Sequence, residues 1–142
     1  MSYDMVQMDG DFYIAAENKS AALLALHALE EKWARECTQK YGRSVEPEKC
    51  LSLEDQLGAY SWNTETDELG NLTSMYFIGE HKGDEEQWLS AIAPYVSKGS
   101  SLEMIGEDNA MWMWYFDGKS VCSYRGRIVY PDCPDEILSG QS

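Results

Sequence analysis

The segment MWMWYF, residues 111–116, constrains the fold most, because every one of its positions is apolar. Side chains alternate between the two faces of a strand, so Trp112, Trp114 and Phe116 share one face. Turn signals flank the segment, with Gly106 and Asn109 before it and Asp117-Gly118 after it. A strand that is apolar on both faces is typical of a sheet covered on both sides, or of one that exposes an aromatic patch to a partner.

The same period of two continues around this strand and predicts an antiparallel meander. Leu102 and Met104 alternate with Glu103 and Ile105, and further strands are predicted over 119–124 and 127–130. Upstream, strands 59–63 and 72–79 flank a polar turn at 67–71, which indicates a hairpin. A short β-like run covers 12–16.

Two helices accompany these strands. One runs from Lys19 to Tyr41, between a cap at Asn18 and a stop at Gly42. The other is predicted over 84–96, with a kink or an early end at Pro94, and residues 51–58 predict one or two further helical turns. The fold class is therefore α+β, with a mostly antiparallel sheet of about four to six strands packed against two main helices. The predicted core contains one face of 111–116 together with Leu26, Leu29, Trp33, Trp88 and Ile92.

The length of 142 residues predicts a single domain over 1–142, with a loosely ordered acidic tail at 131–142. Neither a signal peptide nor an apolar run of membrane-spanning length is recognisable, which favours the cytoplasm. There the cysteines are expected to be reduced. Their spacing does not indicate a zinc site, and a bridge between Cys122 and Cys133 stays open.

The net charge of −14 is most simply that of a soluble, self-repelling surface, and the sharper interpretation is a protein that docks on a basic partner. Nucleic acids and anionic membranes are both expected to be repelled, because contacts with them come from Lys and Arg. The same charge suits a surface that only keeps the protein soluble, or one that imitates nucleic acid for a basic host protein.

Acidic and aromatic residues are densest around the strand 111–116, and they are the candidate interaction residues: Glu103, Glu107, Asp108, Trp112, Trp114 and Asp117. Glu107 and Asp108 are predicted at an exposed turn. A strand of about six residues, ~20 Å long, separates that turn from Asp117, so one shared carboxylate cluster is not expected. No catalytic residue, metal ligand or cofactor is predicted.

The segment 79–118 resembles a family of small uncharacterised proteins of bacteriophages and bacteria, mainly actinobacteria. That family carries the pattern G-S-Y-I-E-W-x-G-E-D-G-x-x-W-R-W-x-F-x-D-G, preceded by G-x-x-x-K-x-G-x-E-D and A-x-A-P. The chain has the same residues at Gly79, Lys82-Gly83, Glu85, Leu89, Ala91, Ala93-Pro94, Val96, Gly99-Ser100, Glu103, Gly106-Glu107-Asp108, Trp112, Trp114, Phe116 and Asp117-Gly118. Its spacing is two residues shorter than the pattern between Gly79 and Gly83, and one residue shorter between Phe116 and Asp117.

The start of the chain, MSYDM and then FYIAAEN, is similar to the family's opening as well, whereas about residues 40–58 do not match. Asn109 replaces the family's last turn glycine, and Met113 replaces an arginine, so a site built on that arginine would be lost here. The resemblance implies a phage or prophage origin, but it implies no activity and no catalytic residue.

Three functions remain open on the sequence. The preferred one is non-catalytic binding to a host protein, with inhibition of a defence or DNA-binding system as its specific form. The second is a metal-assisted hydrolase that uses Glu103, Glu107, Asp108 and Asp117 with 84–86. The third is a structural or housekeeping protein, such as a homodimer that buries its aromatic strand against a second copy.

Overall fold

A computed structural model describes residues 2–127. Three predictions fall wholly or partly outside the described residues. They are the acidic tail over 131–142, the bridge to Cys133, and the strand over 127–130, of which only residue 127 is described. The α-helices are α1 (Lys19–Tyr41), α2 (Leu53–Ala59) and α3 (Glu85–Ile92). The strands are β1 (Asp4–Asp11), β2 (Asn63–Thr66), β3 (Leu72–Tyr76), β4 (Ile78–Glu80), β5 (Ser101–Gly106), β6 (Met111–Phe116) and β7 (Val121–Arg125).

The α+β prediction is confirmed. Five strands form an antiparallel sheet in the order β4-β1-β5-β6-β7, and β2 and β3 form a separate two-stranded sheet. β5, β6 and β7 are the predicted meander, and β6 lies inside the sheet. Within the described residues, no helix combines the length and the apolar character needed to cross a membrane.

The prediction of a strand over 12–16 is wrong. The strand is β1, Asp4–Asp11, and after it Ile14 makes only an isolated bridge with Leu72. β1 contains one buried side chain, Met5, and therefore lacks an apolar alternation that the sequence could reveal. It is a strand because β4 and β5 supply hydrogen-bonding partners on both of its edges.

The predicted hairpin forms, but its first strand begins later than expected. Residue 59 ends α2, and Ser61 adopts a left-handed conformation with φ 73° before β2 begins at residue 63. The Asp67 carboxylate accepts backbone hydrogen bonds from Leu69 and Asn71, which fixes the turn. The return segment, predicted over 72–79, divides into β3 and β4, and β4 pairs with β1 instead of β2.

Both long helices form. Gly42 ends α1 in the left-handed conformation, with φ 74°, and its N–H donates to the Thr38 carbonyl. α3 ends at residue 92, and Pro94 lies in the single 3-10 turn that follows, so the predicted early end is confirmed.

The core lies on one face of the five-stranded sheet, called here the inner face. Leu102, Met104, Trp114 and Phe116 are buried there, in one cluster with residues from the helices. Among the predicted core residues, Leu26, Trp88 and Ile92 are buried, whereas Leu29 and Trp33 are only partly buried at its margin.

Candidate functional site

The turn between β5 and β6 is built as the sequence predicts. The Gly106 N–H donates to the Ala110 carbonyl at 2.8 Å, and Asn109 takes the left-handed conformation with φ 68°. Asn tolerates that conformation better than other residues with a Cβ, because its short side chain can hydrogen-bond locally. Glu107 and Asp108 are exposed at the tip, as predicted.

The N-terminal segment holds this turn in place. The Tyr3 hydroxyl donates to Asp108, and the Asp4 N–H donates to Oε1 of Glu107 at 2.9 Å. The Glu107 N–H returns a bond to the Asp4 carbonyl, also at 2.9 Å. A Cβ on Gly106 would lie 1.7 Å from the Tyr3 hydroxyl oxygen. The tyrosine side chain therefore fits only because residue 106 is a glycine.

These contacts set the protonation of both partners. The hydrogen bond from Tyr3, joined by one from the Ala110 N–H, holds the pKa of Asp108 below its usual value. The same hydrogen bond, with some loss of hydration and the nearby negative charges, raises the pKa of Tyr3 to about 12. Asp108 is therefore fully ionised at neutral pH, and Tyr3 stays neutral as its donor.

The second face of the sheet, called here the outer face, carries acidic side chains in rows that cross the strands. Asp4 lies directly opposite Glu80 on β4, and Glu107 follows on the other side of Asp4. Farther along the strands, Asp9 lies directly opposite Glu103. Like charges in directly opposed positions destabilise a sheet.

Few of these charges are neutralised. In the described part of the chain, two ion pairs occur, Lys19 with Glu54 and Lys49 with Glu31, and Nε2 of His81 lies 3.8 Å from Oε1 of Glu85. None of them involves the acids of the outer-face rows. The acids of the outer-face rows therefore form no ion pair with a basic side chain of the described residues, although Arg125 and Arg127 line a cavity of about 290 Å³ together with Glu103.

An apolar row lies between the two sets of acids. Ile78, Val6, Ile105 and Met111 are successive cross-strand partners on β4, β1, β5 and β6. Ile78 is 64% exposed, and the other three are partly buried. A groove of about 270 Å³ runs over Val6, Ile78 and Ile105, and Asp4 and Glu107 form its rim.

Aromatic rings continue from the acidic turn towards the core. Tyr3 contacts His81 with ring centroids 6.0 Å apart, and His81 contacts Trp112 at 5.6 Å. Trp112 in turn meets Trp114 at 6.0 Å, and all three pairs are edge-to-face. Trp112 is partly buried, whereas Trp114 is 1% exposed and donates from Nε1 to Glu86 Oε2 at 3.0 Å. The Trp114 side chain is therefore part of the core.

The remaining predicted residues lie elsewhere. Glu103 is in the middle of the outer face, and Asp117 is at the opposite end of β6 from Asp108. The Asp117 carboxylate accepts backbone hydrogen bonds from Lys119 at 2.9 Å and from Ser120 at 2.8 Å, which fixes its own turn. Among residues 2–127, no group of three or more His, Cys, Asp or Glu side chains could hold a metal ion.

The residues that sequence reasoning missed are Tyr3, Asp4, Glu80 and His81. They meet the turn at 106–109 only because β1 pairs with both β4 and β5. The one local signal is a pair of acids within β1, Asp4 and Asp9, and these share a face only because of the bulge between Gln7 and Asp9.

A second acidic cleft, of about 250 Å³, lies between α1, the end of α2 and the start of α3. Its polar groups mostly serve the fold. The Tyr60 hydroxyl donates to Glu30 Oε2 at 2.7 Å, and the buried Gln56 amide donates to the Glu48 carbonyl at 2.9 Å. Burial raises the pKa of Asp84 there, and the nearby Glu85 carboxylate adds to the shift.

Comparisons of the chain with protein-family models, with curated proteins and with solved structures find no match. The geometry of the outer face is therefore the basis for interpreting the site.

Proposed function

We propose that the protein acts by non-catalytic binding, and that its outer face receives a partner protein with a basic surface. The observation that carries the proposal is the set of unneutralised carboxylates Glu80, Asp4, Glu107, Asp9 and Glu103, which lie in cross-strand rows. Solubility alone requires only scattered charges. Directly opposed acids lower stability, and such departures from local rules are expected where a surface has a function.

The partner that we propose is a host protein in the cytoplasm of a bacterial cell, and the protein itself is proposed to be of phage or prophage type. The resemblance of 79–118 to phage and actinobacterial proteins supports this origin. A host defence or DNA-binding protein suits the site, because its nucleic-acid surface is basic and can be occupied by carboxylates in place of phosphates.

The alternative of a metal-assisted hydrolase has no site among its proposed carboxylates. Asp117 lies at the far end of β6 from Glu107 and Asp108, and each of these three carboxylates has a backbone N–H as a partner. The homodimer alternative required the aromatic side of the strand 111–116 to be free. Trp114 and Phe116 instead pack in the protein's own core.

The test is affinity purification from an actinobacterial lysate, followed by measurement of the affinity for the recovered protein. The variant is Glu107→Gln with Asp108→Asn, which removes charge but retains the acceptors for Asp4 N–H and Tyr3 hydroxyl. We expect the affinity to fall at least tenfold at low salt, and to weaken steeply with added salt in the parent protein.

The matched control is Glu65→Gln with Glu68→Gln, which removes two exposed charges from the separate β2–β3 hairpin. It should leave the affinity within about twofold of the parent, as for most surface changes. An equal loss of affinity in both double variants would show that net charge is responsible rather than the outer face. Salt-independent binding would contradict the proposal altogether.

A further inference from the structure

The outer face has a second property besides its charge, which is the arrangement of apolar and acidic side chains. The row Ile78–Val6–Ile105–Met111 crosses four neighbouring strands, so it is about 14 Å long at ~4.8 Å per strand. The acids Glu80, Asp4 and Glu107 lie on one side of it, and Asp9 and Glu103 lie on the other.

The distance between rows follows from the strand geometry. Asp4 precedes Val6 by two residues, and Glu80 follows Ile78 by two, so acidic and apolar side chains are about 7 Å apart on one face. Asp9 and Glu103 flank the row from the other side at a similar spacing. The bulge between Gln7 and Asp9 leaves Met8 50% exposed beside them.

We infer that the apolar row and its flanking acids form a docking surface for a basic amphipathic α-helix of the partner protein. This inference rests on the proposed function and specifies the partner's chemistry. A helix lying along the row would place one apolar stripe on Val6, Ile78 and Ile105. Arg or Lys side chains on both sides of that stripe would extend over the apolar surface to the flanking carboxylates.

The dimensions suit this occupant. About ten helical residues, at 1.5 Å per residue, cover a row of ~14 Å, and a helix about 10 Å wide reaches the acids on either side. A second copy of this chain fits poorly, because it would bring acidic rows against each other in a protein of net charge −14. Anionic lipids and nucleic acids are disfavoured by the same repulsion.

The test uses the full chain and two synthetic peptides of about 14 residues. Both peptides have the same composition of Leu, Arg and Ala and differ only in the order of these residues. In the amphipathic peptide, Leu recurs every three to four residues with Arg on both flanks. In the scrambled peptide, Leu is spread around the helix. Calorimetric titration at low salt should show that the amphipathic peptide binds at least tenfold more tightly.

The variant for this test is Val6→Thr with Ile78→Thr, which removes apolar surface while it retains β-branched side chains suited to strands. In this variant, the amphipathic peptide should bind no more than about twofold more tightly than the scrambled peptide, and the affinity for the scrambled peptide should not change. The control is Leu51→Thr, at a side chain that is 97% exposed and lies away from the row, and it should retain the full preference. Circular dichroism and thermal melting show whether each variant folds.

The outcomes separate this inference from the proposed function. Equal, salt-dependent binding of the two peptides would overturn the helix docking and leave the charge-driven binding in place. The same result is expected if residues 128–142 of the chain cover the row. Binding of neither peptide at low salt would contradict both proposals. A dimer in sedimentation that Ile78→Thr dissociates would show that a second copy covers the row, and would overturn the inference.

Discussion

The inner and outer faces of the five-stranded sheet are made from the same strands but differ in burial. On β5 and β6, Leu102, Met104, Trp114 and Phe116 are buried, while Glu103, Ile105 and Met113 remain partly exposed. A step of one residue along a strand therefore separates side chains that are buried in the core from side chains that remain partly exposed. Substitutions should follow the same division.

The largest effect is expected for Trp114→Ala. Its side chain is 1% exposed and packs in the core, so the free energy of unfolding should fall by about 3–5 kcal/mol. Its neighbour Met113 is partly buried on the outer face, and Met113→Ala should cost about 1 kcal/mol or less. Urea denaturation of both variants checks the contrast. Equal losses would mean that the outer face is covered as well as the inner one.

A smaller effect is expected at Glu86, which is exposed itself but accepts the hydrogen bond from the buried Trp114 indole at 3.0 Å. Glu86→Ala leaves that N–H without its acceptor and should lower the free energy of unfolding by about 1–3 kcal/mol. Glu86→Gln keeps an acceptor and should recover most of the loss. If Ala and Gln behave alike, the indole hydrogen bond does not contribute to stability.

Alkaline pH should distinguish Tyr60, which packs beside the helices, from Tyr3, which is bound at the exposed turn between β5 and β6. Burial, followed by the hydrogen bond to Glu30, raises the pKa of Tyr60 well above its usual value. For a raised pKa, the stabilisation is complete below the unfolded-state pKa of about 10 and is lost as the pH rises further. The free energy of unfolding should therefore decline above about pH 10.

Tyr60→Phe should make that decline shallower, because the titrating hydroxyl is gone. Tyr3→Phe should change it less, because the acidic turn that binds Tyr3 is exposed and solvent screens the shift in its pKa. Denaturation curves collected from neutral pH upwards measure both slopes. A larger change in slope for Tyr3→Phe would reverse the comparison.

The smallest change in the free energy of unfolding is expected on the outer face, and it should be a gain in stability where Trp114→Ala and Glu86→Ala cause a loss. Glu103→Gln removes the repulsion with the directly opposed Asp9, so the free energy of unfolding should rise by roughly 0.2–1 kcal/mol. Asp9→Asn alone should give a similar gain, and the double variant should gain little more than either. Additive gains would show that the two carboxylates do not interact.

The sequence predicted the part of the fold that depends on local patterns. The hairpin of β5 and β6 follows from alternation along Met111–Phe116 and from the turn residues Gly106 and Asn109, all of which are close in the chain. The end of helix α1 follows from Gly42, which takes the left-handed conformation there. The exposed acids Glu107 and Asp108, at the turn between β5 and β6, were predicted for the same local reason.

The rest of the site could not be predicted, because it depends on pairing between distant segments. β1 has a single buried residue, Met5, and becomes a strand only through partners more than 60 residues away in the chain. The acidic rows and the apolar row exist only in that register. A shift of one residue in β1 would turn Asp4 and Val6 to the inner face.

The central claim is that the outer face binds and does not stabilise. The direct test is a triple variant, Asp4→Asn with Glu80→Gln and Glu107→Gln, in which binding of the amphipathic peptide and the free energy of unfolding are measured on the same sample. The account predicts at least a tenfold loss of affinity with stability unchanged or slightly raised, because the repulsion between Asp4 and Glu80 is removed. Unchanged affinity, or a fall in stability of several kcal/mol, would contradict it.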